Sequence, residues 1–335
     1  MLGIALPDWY VDSFTVRGSE GVAFGWIMPT REGASLEVLF NGKPAQTQFS
    51  EGRPDVARAW RAAGIAPVTF VAVADISDAG DAVRMEVRCD GLVRPGNAWA
   101  QPLNERFPAP GAQRRERVHG ADEEQRFLRA GFSNYLRIKQ LIERYARPTE
   151  TPIPILDWGC GAGSIGRYAL NDSALNYTGA DIDHDNIAWC RENLDRNRFV
   201  AISTEPPTAF ADDSFDVIFG ISVLTHLREK DQFKWLAELA RIVRPRGLCL
   251  LSVLGAQAQA KMPWLDDDGH EVSRRGFQFV ESAHEIGRIV GDEKYYGTAY
   301  HRKNYVVEHW SPWFDVVDYV VGALGHQDVV VARAH

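Results

Sequence analysis

The chain has 335 residues, 45% hydrophobic and 24% charged, with a formal net charge of -8. That length exceeds an ordinary domain of roughly 100 to 200 residues, so two cores are expected, and the composition excludes a largely disordered chain. The acidic balance gives no general attraction to nucleic acid or to an anionic membrane. Cys89, Cys160, Cys190 and Cys249 form no CxxC pair, so no zinc cage or disulfide framework is indicated, and a cytoplasmic protein is expected. The first residues have no basic and apolar leader pattern, and no run of about 18 apolar residues follows, so no membrane anchor is expected.

In chain order, residues 1–94 read as a small β-sandwich. Val11–Val16, Gly21–Met28, Leu36–Phe40, Val68–Ala74 and Val83–Cys89 are rich in β-branched and aromatic residues and are separated by turn formers. Asn41-Gly42 predicts a tight hairpin between Leu36–Phe40 and a strand near Thr47–Phe49. Asp55–Ala63 predicts one short helix, with Asp55 as its cap and Gly64 as its stop. Pro95, Gly96, Pro102, Pro108 and Pro110 then mark residues 95–120 as a linker, which also holds the short basic cluster Arg114, Arg115 and Arg117.

Residues 121–335 form the second expected domain. Apolar positions at three- and four-residue steps predict a helix over 121–147, ended by Pro148. Strands are expected at Ile153–Trp158, Tyr177–Asp181, Phe199–Ile202, Phe215–Ile221 and Gly247–Val253. Helices are expected between them at Ser164–Leu170, Asp185–Arg196 and Glu229–Val243. The alternation predicts an α/β domain with a mostly parallel sheet, closed by a hairpin of Phe314–Val321 and Val329–Ala332.

The first of these strands runs into Gly159-Cys160-Gly161-Ala162-Gly163. Glycines there let a ligand approach the backbone closely at the carboxyl end of a strand, the usual binding edge of open α/β sheets. The next strand ends in Asp181, about twenty residues on, where a carboxylate can accept both hydroxyl hydrogens of a ribose. Ile182 beside it would cover a base. Asp181 could instead cap the following helix, but Asp183 or Asp185 stands closer to that helix. Gly161-Ala-Gly163-Ser-Ile-Gly166 also satisfies GxGxxG, so an NAD(P)-dependent oxidoreductase is the competing enzyme class. Against it, Asp157 lies just before the glycines, where it would repel a pyrophosphate and suit a cationic amine.

Four ordered segments resemble the motifs of class I S-adenosylmethionine-dependent methyltransferases. They are Ile155-Leu-Asp-Trp-Gly-Cys-Gly-Ala-Gly163, Gly179-Ala-Asp-Ile-Asp183, Asp213-Ser-Phe-Asp-Val-Ile-Phe-Gly220 through His226, and Leu239-Ala-Arg-Ile-Val-Arg-Pro-Arg-Gly247. The resemblance implies a doubly wound, mostly parallel seven-stranded sheet with an antiparallel last strand. It implies S-adenosyl-L-methionine as cofactor, held by Asp157, Gly159, Cys160, Gly161, Asp181 and Ile182, with methionine-side contacts near Gly220. Where many relatives place an adenine-reading Asp, this chain has Ser203-Thr204-Glu205, leaving Thr204 and Glu205 as candidates.

The tail from Tyr300 to Val331 looks like methyltransferases found with bacterial surface-glycan assembly, and the front segments Val38–Lys43 and Arg53–Val56 look like a β-sandwich module seen with such enzymes. A sugar or glycan acceptor is therefore expected, with no nucleic acid, no membrane and no metal. An oligomer is compatible with the composition, and a cofactor-binding scaffold without turnover is the non-enzymatic alternative. If the acceptor is a hydroxyl, a base is needed near neutral pH; His226, after the fourth strand, is the first candidate and His301 the second. Trp264, Tyr295, Tyr296, Trp310 and Trp313 could stack on sugar rings, although such aromatics more often form core. The long stretch Gly255–Tyr300 is expected to be a substrate loop, and Asp266-Asp267-Asp268 within it is expected to be solvated.

Overall fold

The computed structural model describes residues 9–52, 65–94, 99–120, 122–255, 258, 271–281, 296–325 and 327–335. The expected helix at 55–63, the acidic triplet 266–268, Trp264 and Tyr295 lie outside the described residues. The chain divides into two compact units, one within 5–105 and one containing 106–335.

The first unit is β-rich. Its strands are β1 (Trp9–Arg17), β2 (Glu20–Ile27), β3 (Leu36–Phe40), β4 (Lys43–Pro44), β5 (Gln46–Glu51), β6 (Val68–Asp75), β7 (Ala82–Cys89), β8 (Leu92–Val93) and β9 (Trp99–Pro102). One sheet has the order β1-β2-β6-β5; the other has β4-β3-β7-β8, with β9 also on β7. Alternate residues of both sheets, among them Val11, Ile27, Val38, Phe70, Val83 and Trp99, form one apolar core. Asn41 and Gly42 take φ of 48° and 79° and turn the chain, as their sequence suggested. The return strand, however, is β4 and not Thr47–Phe49. Pro44 has no N–H to extend that ladder, and β5 joins β6 in the other sheet. The expected linker is also more ordered than its prolines suggested, since Trp99–Pro102 pairs with Ala82–Met85 and Ala112–His119 is helical.

The second unit contains helices α1 (Ala112–His119) and α2 (Glu124–Tyr145), β10 (Ile153–Trp158), α3 (Gly166–Ala169), β11 (Leu175–Asp181), α4 (His184–Asn193), β12 (Phe199–Ala201) and β13 (Phe215–Gly220). There follow α5 (Glu229–Ile242), β14 (Val243–Val253), α6 (Glu271–Arg275), β15 (Phe277–Glu281), β16 (Gly297–His301), α7 (Lys303–His309), β17 (Phe314–Leu324) and β18 (Gln327–Ala334). Seven strands form a mixed sheet of order β12-β11-β10-β13-β14-β18-β17. The pairings from β12 to β14 are parallel, and β18 runs antiparallel to β14 and β17. Central strands covered on both faces need continuous apolar runs, and β13 is buried at every position. On one face Trp235, Leu236 and Leu239 of α5 pack over Leu156, Ile218, Cys249 and Leu251. On the other, Ile138 and Ile142 of α2 with Ile187 of α4 pack over Ile155, Val217 and Leu250.

Strand order positions the site. From β10 the chain steps outward to β11 and β12, then returns to the far side of β10 and continues through β13 and β14. The order reverses beside β10, and in open α/β sheets ligands bind outside the carboxyl ends of the strands at such a switch point.

Candidate cofactor and acceptor site

The loop after β10 turns sharply because Gly159, Gly161 and Gly163 adopt φ of 80°, 53° and 70°. Its amides point at the end of β11. Gly159 and Cys160 N–H donate to Ala180 O at 2.8 and 3.1 Å, and Gly161 N–H donates to Asp181 Oδ2 at 2.7 Å. Asp181 Oδ1 accepts the Asp183 N–H at 2.8 Å. Each carboxylate oxygen thus accepts a backbone amide, and the Ile182 amide adds to their hold on the group. Burial pushes the Asp181 carboxyl up to about 6, against the pull of the Asp183 and Gly161 amides. Asp183, not Asp181, caps α4, accepting from the N–H groups of Asp185 and Asn186 at 3.0 and 3.1 Å.

Asp157 is 2% exposed and its Oδ2 accepts from the Tyr177 hydroxyl at 2.9 Å. Burial raises its carboxyl to about 7, the Tyr177 bond opposes the rise and the charge of Asp181 adds to it. Tyr177 went unnoticed in the sequence, but two glycines mark its place. A Cβ at Gly166 would come within 2.4 Å of the Tyr177 oxygen and one at Gly179 within 2.8 Å. The third glycine of the GxGxxG match thus makes room for a tyrosine.

The segment expected to be a linker reaches the same loop. A Cβ on Gly161 would meet Val118 of α1 at 2.9 Å. Arg117 pairs with Asp183 at 3.0 Å and donates to Asn186 Oδ1 at 3.1 Å, while Arg114 donates to Asn186 Oδ1 at 3.1 Å. Two members of the short basic cluster, Arg114 and Arg117, therefore dock α1 onto the start of α4. Farther along, Glu205 pairs with Lys234 at 2.5 Å, and Ile182 packs at the edge of the apolar core.

At the end of β13, a Cβ at Gly220 would meet the Trp158 ring at 2.6 Å, and one at Gly159 would meet Val223 at 2.3 Å. The turn after β13 thus rests on the glycine loop. His226 ends a one-turn 3-10 helix, Leu224–His226, and its Nδ1 lies 2.8 Å from Gly297 O. A carbonyl only accepts, so Nδ1 carries the proton and, in the neutral ring, Nε2 carries the lone pair. The ring stacks on Tyr296 at 4.2 Å and 13°. Gly297 belongs to β16, which pairs antiparallel with β15 inside the stretch expected to be one substrate loop.

His301 is placed differently. It is fully buried, Nε2 lies 2.9 Å from Gln232 Oε1, and burial lowers its pKa to about 3, so the ring is neutral. Of the aromatic set, Trp310 is fully buried core and Trp313 packs beside Phe233. Among the described residues there is no cluster of three metal-ligating side chains, and no helix is long and apolar enough to cross a membrane.

The second unit thus combines a seven-stranded mixed sheet whose last strand is reversed, a glycine turn bonded to an acidic strand end and a buried carboxylate beside it. The family model described as a methyltransferase domain matches residues 156–251. The ribosomal protein L11 methyltransferase of Cellvibrio japonicus is 32% identical over 126 residues, 35% of this chain and 41% of its own. The ubiquinone biosynthesis O-methyltransferase of Sinorhizobium fredii is 29% identical over 138 residues, 38% of this chain and 52% of its own. The chain thus spans about two fifths to a half of the length of these curated relatives. The solved structure of the PH0226 protein from Pyrococcus horikoshii OT3 aligns with a TM-score of 0.44 and 18% identity, covering 61% of this chain and 91% of that chain.

Proposed function

We propose that the protein methylates a hydroxyl oxygen of a sugar or glycan, using S-adenosylmethionine bound between the glycine loop and the turn after β13. The observation that carries this reading is the Gly161 to Asp181 hydrogen bond of 2.7 Å, which holds loop and carboxylate as one unit. Asp181 would hold the ribose hydroxyls, Ile182 would lie against the base, and Asp157 would receive the α-ammonium group. Thr204 and Glu205, the latter paired with Lys234, are the two candidates for reading the adenine amino group.

The bound cofactor supplies a sulfonium methyl group, and the chain's own work is alignment and proton removal. His226 would accept the acceptor hydroxyl proton on Nε2 while Gly297 O holds Nδ1–H. The named O-methylation of the ubiquinone relative is of that chemical kind. The sugar or glycan class rests on the resemblance of residues 300–331 and on the Tyr296 ring beside His226.

The loop amides speak against a dinucleotide cofactor. Phosphate-binding loops aim their N–H groups at the ligand, whereas those of Gly159, Cys160 and Gly161 are spent on Ala180 and Asp181.

Calorimetry with S-adenosylhomocysteine tests the cofactor assignment, and absence of heat at millimolar ligand would remove it. Methyl incorporation into sugar nucleotides, cell-surface glycans and small phenols tests the acceptor. Labelling of phenols alone would exclude the sugar reading.

A further inference from the structure

The turn between β13 and α5 is held at both ends by buried polar side chains. At its entry Ser222 sits at φ 61°, its N–H donates to Ser252 Oγ and its own Oγ accepts from Gln327 Nε2, both at 2.7 Å. A serine in the left-handed region carries strain and persists where surrounding contacts over-determine it.

At the exit, Gln232 in the first turn of α5 donates through Nε2 to Leu224 O and to Leu227 O, each at 2.9 Å. Both carbonyls can only accept, so Nε2 faces them and Oε1 faces His301, whose bond helps to hold the amide in this orientation. Oε1 accepts in its turn, which places the His301 proton on Nε2 at 2.9 Å. Gln232 is 1% exposed and His301 is fully buried, so these bonds are shielded from competing water. One strand, β16, closes the arrangement, because its first residue Gly297 takes the His226 Nδ1–H and its last residue His301 orients Gln232.

We propose that Gln232, oriented by His301, is a positioning residue that fixes the Leu224–His226 turn so that His226 keeps its proton on Nδ1 and its lone pair on Nε2. The functional meaning rests on His226 being the proton acceptor; the geometric claim does not. His301, the second candidate base in the sequence, becomes part of the support.

The test is the imidazole tautomer of His226 in the full chain, read from long-range nitrogen–proton NMR spectra of the histidine-labelled protein with S-adenosylhomocysteine present. The wild type is expected to show the Nδ1–H form. Gln232→Met keeps the side chain's length and removes its donors, and should lose that preference in favour of the Nε2–H form. His301→Leu should do the same, while His301→Gln, which can still donate to Gln232, should restore it. The wild-type tautomer in folded Gln232→Met overturns the proposal. If Gln232→Met does not fold, equal spectra for His301→Leu and His301→Gln overturn it instead. Failure of the functional reading is seen separately, as no S-adenosylhomocysteine binding by the wild type or as undiminished methyl transfer by His226→Ala.

Discussion

Asp181 and Gly161 are 20 residues apart in sequence, yet the carboxylate of one accepts the backbone N–H of the other at 2.7 Å. The bond locks a loop from one strand to the tip of its parallel neighbour. Asp181→Asn preserves the shape of the side chain but replaces one acceptor oxygen by a donor and removes the charge. S-adenosylhomocysteine affinity should fall about 10- to 100-fold, as expected for losing charge-assisted bonds to two hydroxyls. Calorimetry checks this, and an unchanged affinity would mean that the ribose sits elsewhere.

Gly159 is needed for two separable reasons. Its φ of 80° costs a residue with a side chain about 1 to 2 kcal/mol, and an added Cβ would come within 2.3 Å of Val223. Gly159→Ala should therefore lower the thermal midpoint and weaken cofactor binding. Adding Val223→Ala should recover the part due to the collision and leave the backbone part. Full recovery in the double variant would show that the positive φ carries no cost.

Arg117 ties α1 to the first turn of α4 through Asp183, which is only 5% exposed. Arg117→Ala leaves that carboxylate with its capping amides alone. Removing one partner of a buried pair costs about 3 kcal/mol in typical cases. Urea unfolding of the variant should show a loss of that order, and amide exchange should quicken first over residues 112–119. Unchanged exchange there would mean that the ion pair does not dock the helix.

Much of the second unit could be read from its sequence, because parallel strands buried on both faces must be apolar throughout and the helices between them must carry one apolar stripe. Asp181 and the glycine loop were legible for a similar reason, since local spacing alone puts them on adjacent strand ends. What could not be read was set by long-range packing. Tyr177 reaches Asp157 because β10 and β11 pair with Ile155 opposite Tyr177, a register that no local pattern states. Gln232 looks like an ordinary helix residue until its amide is seen between two carbonyls of the preceding turn. The β15–β16 hairpin was hidden because its two strands are separated by 15 residues. In the first unit, the fate of the chain after Gly42 turned on whether Pro44 ended one strand or lay within it.

The carboxyls of Asp157 and Asp181 give the last prediction, a dependence on pH with a definite sign. Burial lifts Asp157 from an ordinary 3.8 to about 7. Between those values the unfolded chain has released the proton while the folded, ligand-free protein still holds it. Stability is therefore full below about pH 4 and is lost as pH rises toward 7, each unit being worth about 1.4 kcal/mol. Asp157→Asn should flatten this slope between pH 4 and pH 7 in urea titrations of the ligand-free protein. Cofactor binding should run the opposite way, because an ammonium group favours the ionised carboxylate. Asp181, raised to about 6, adds the same trend through the ribose hydroxyls. S-adenosylhomocysteine should bind more tightly at pH 8 than at pH 5, with protons released on binding near pH 6.5. A wild-type affinity that is flat over this range, measured beside an Asp157→Asn variant that binds equally well, would leave Asp157 no part in holding the amino group.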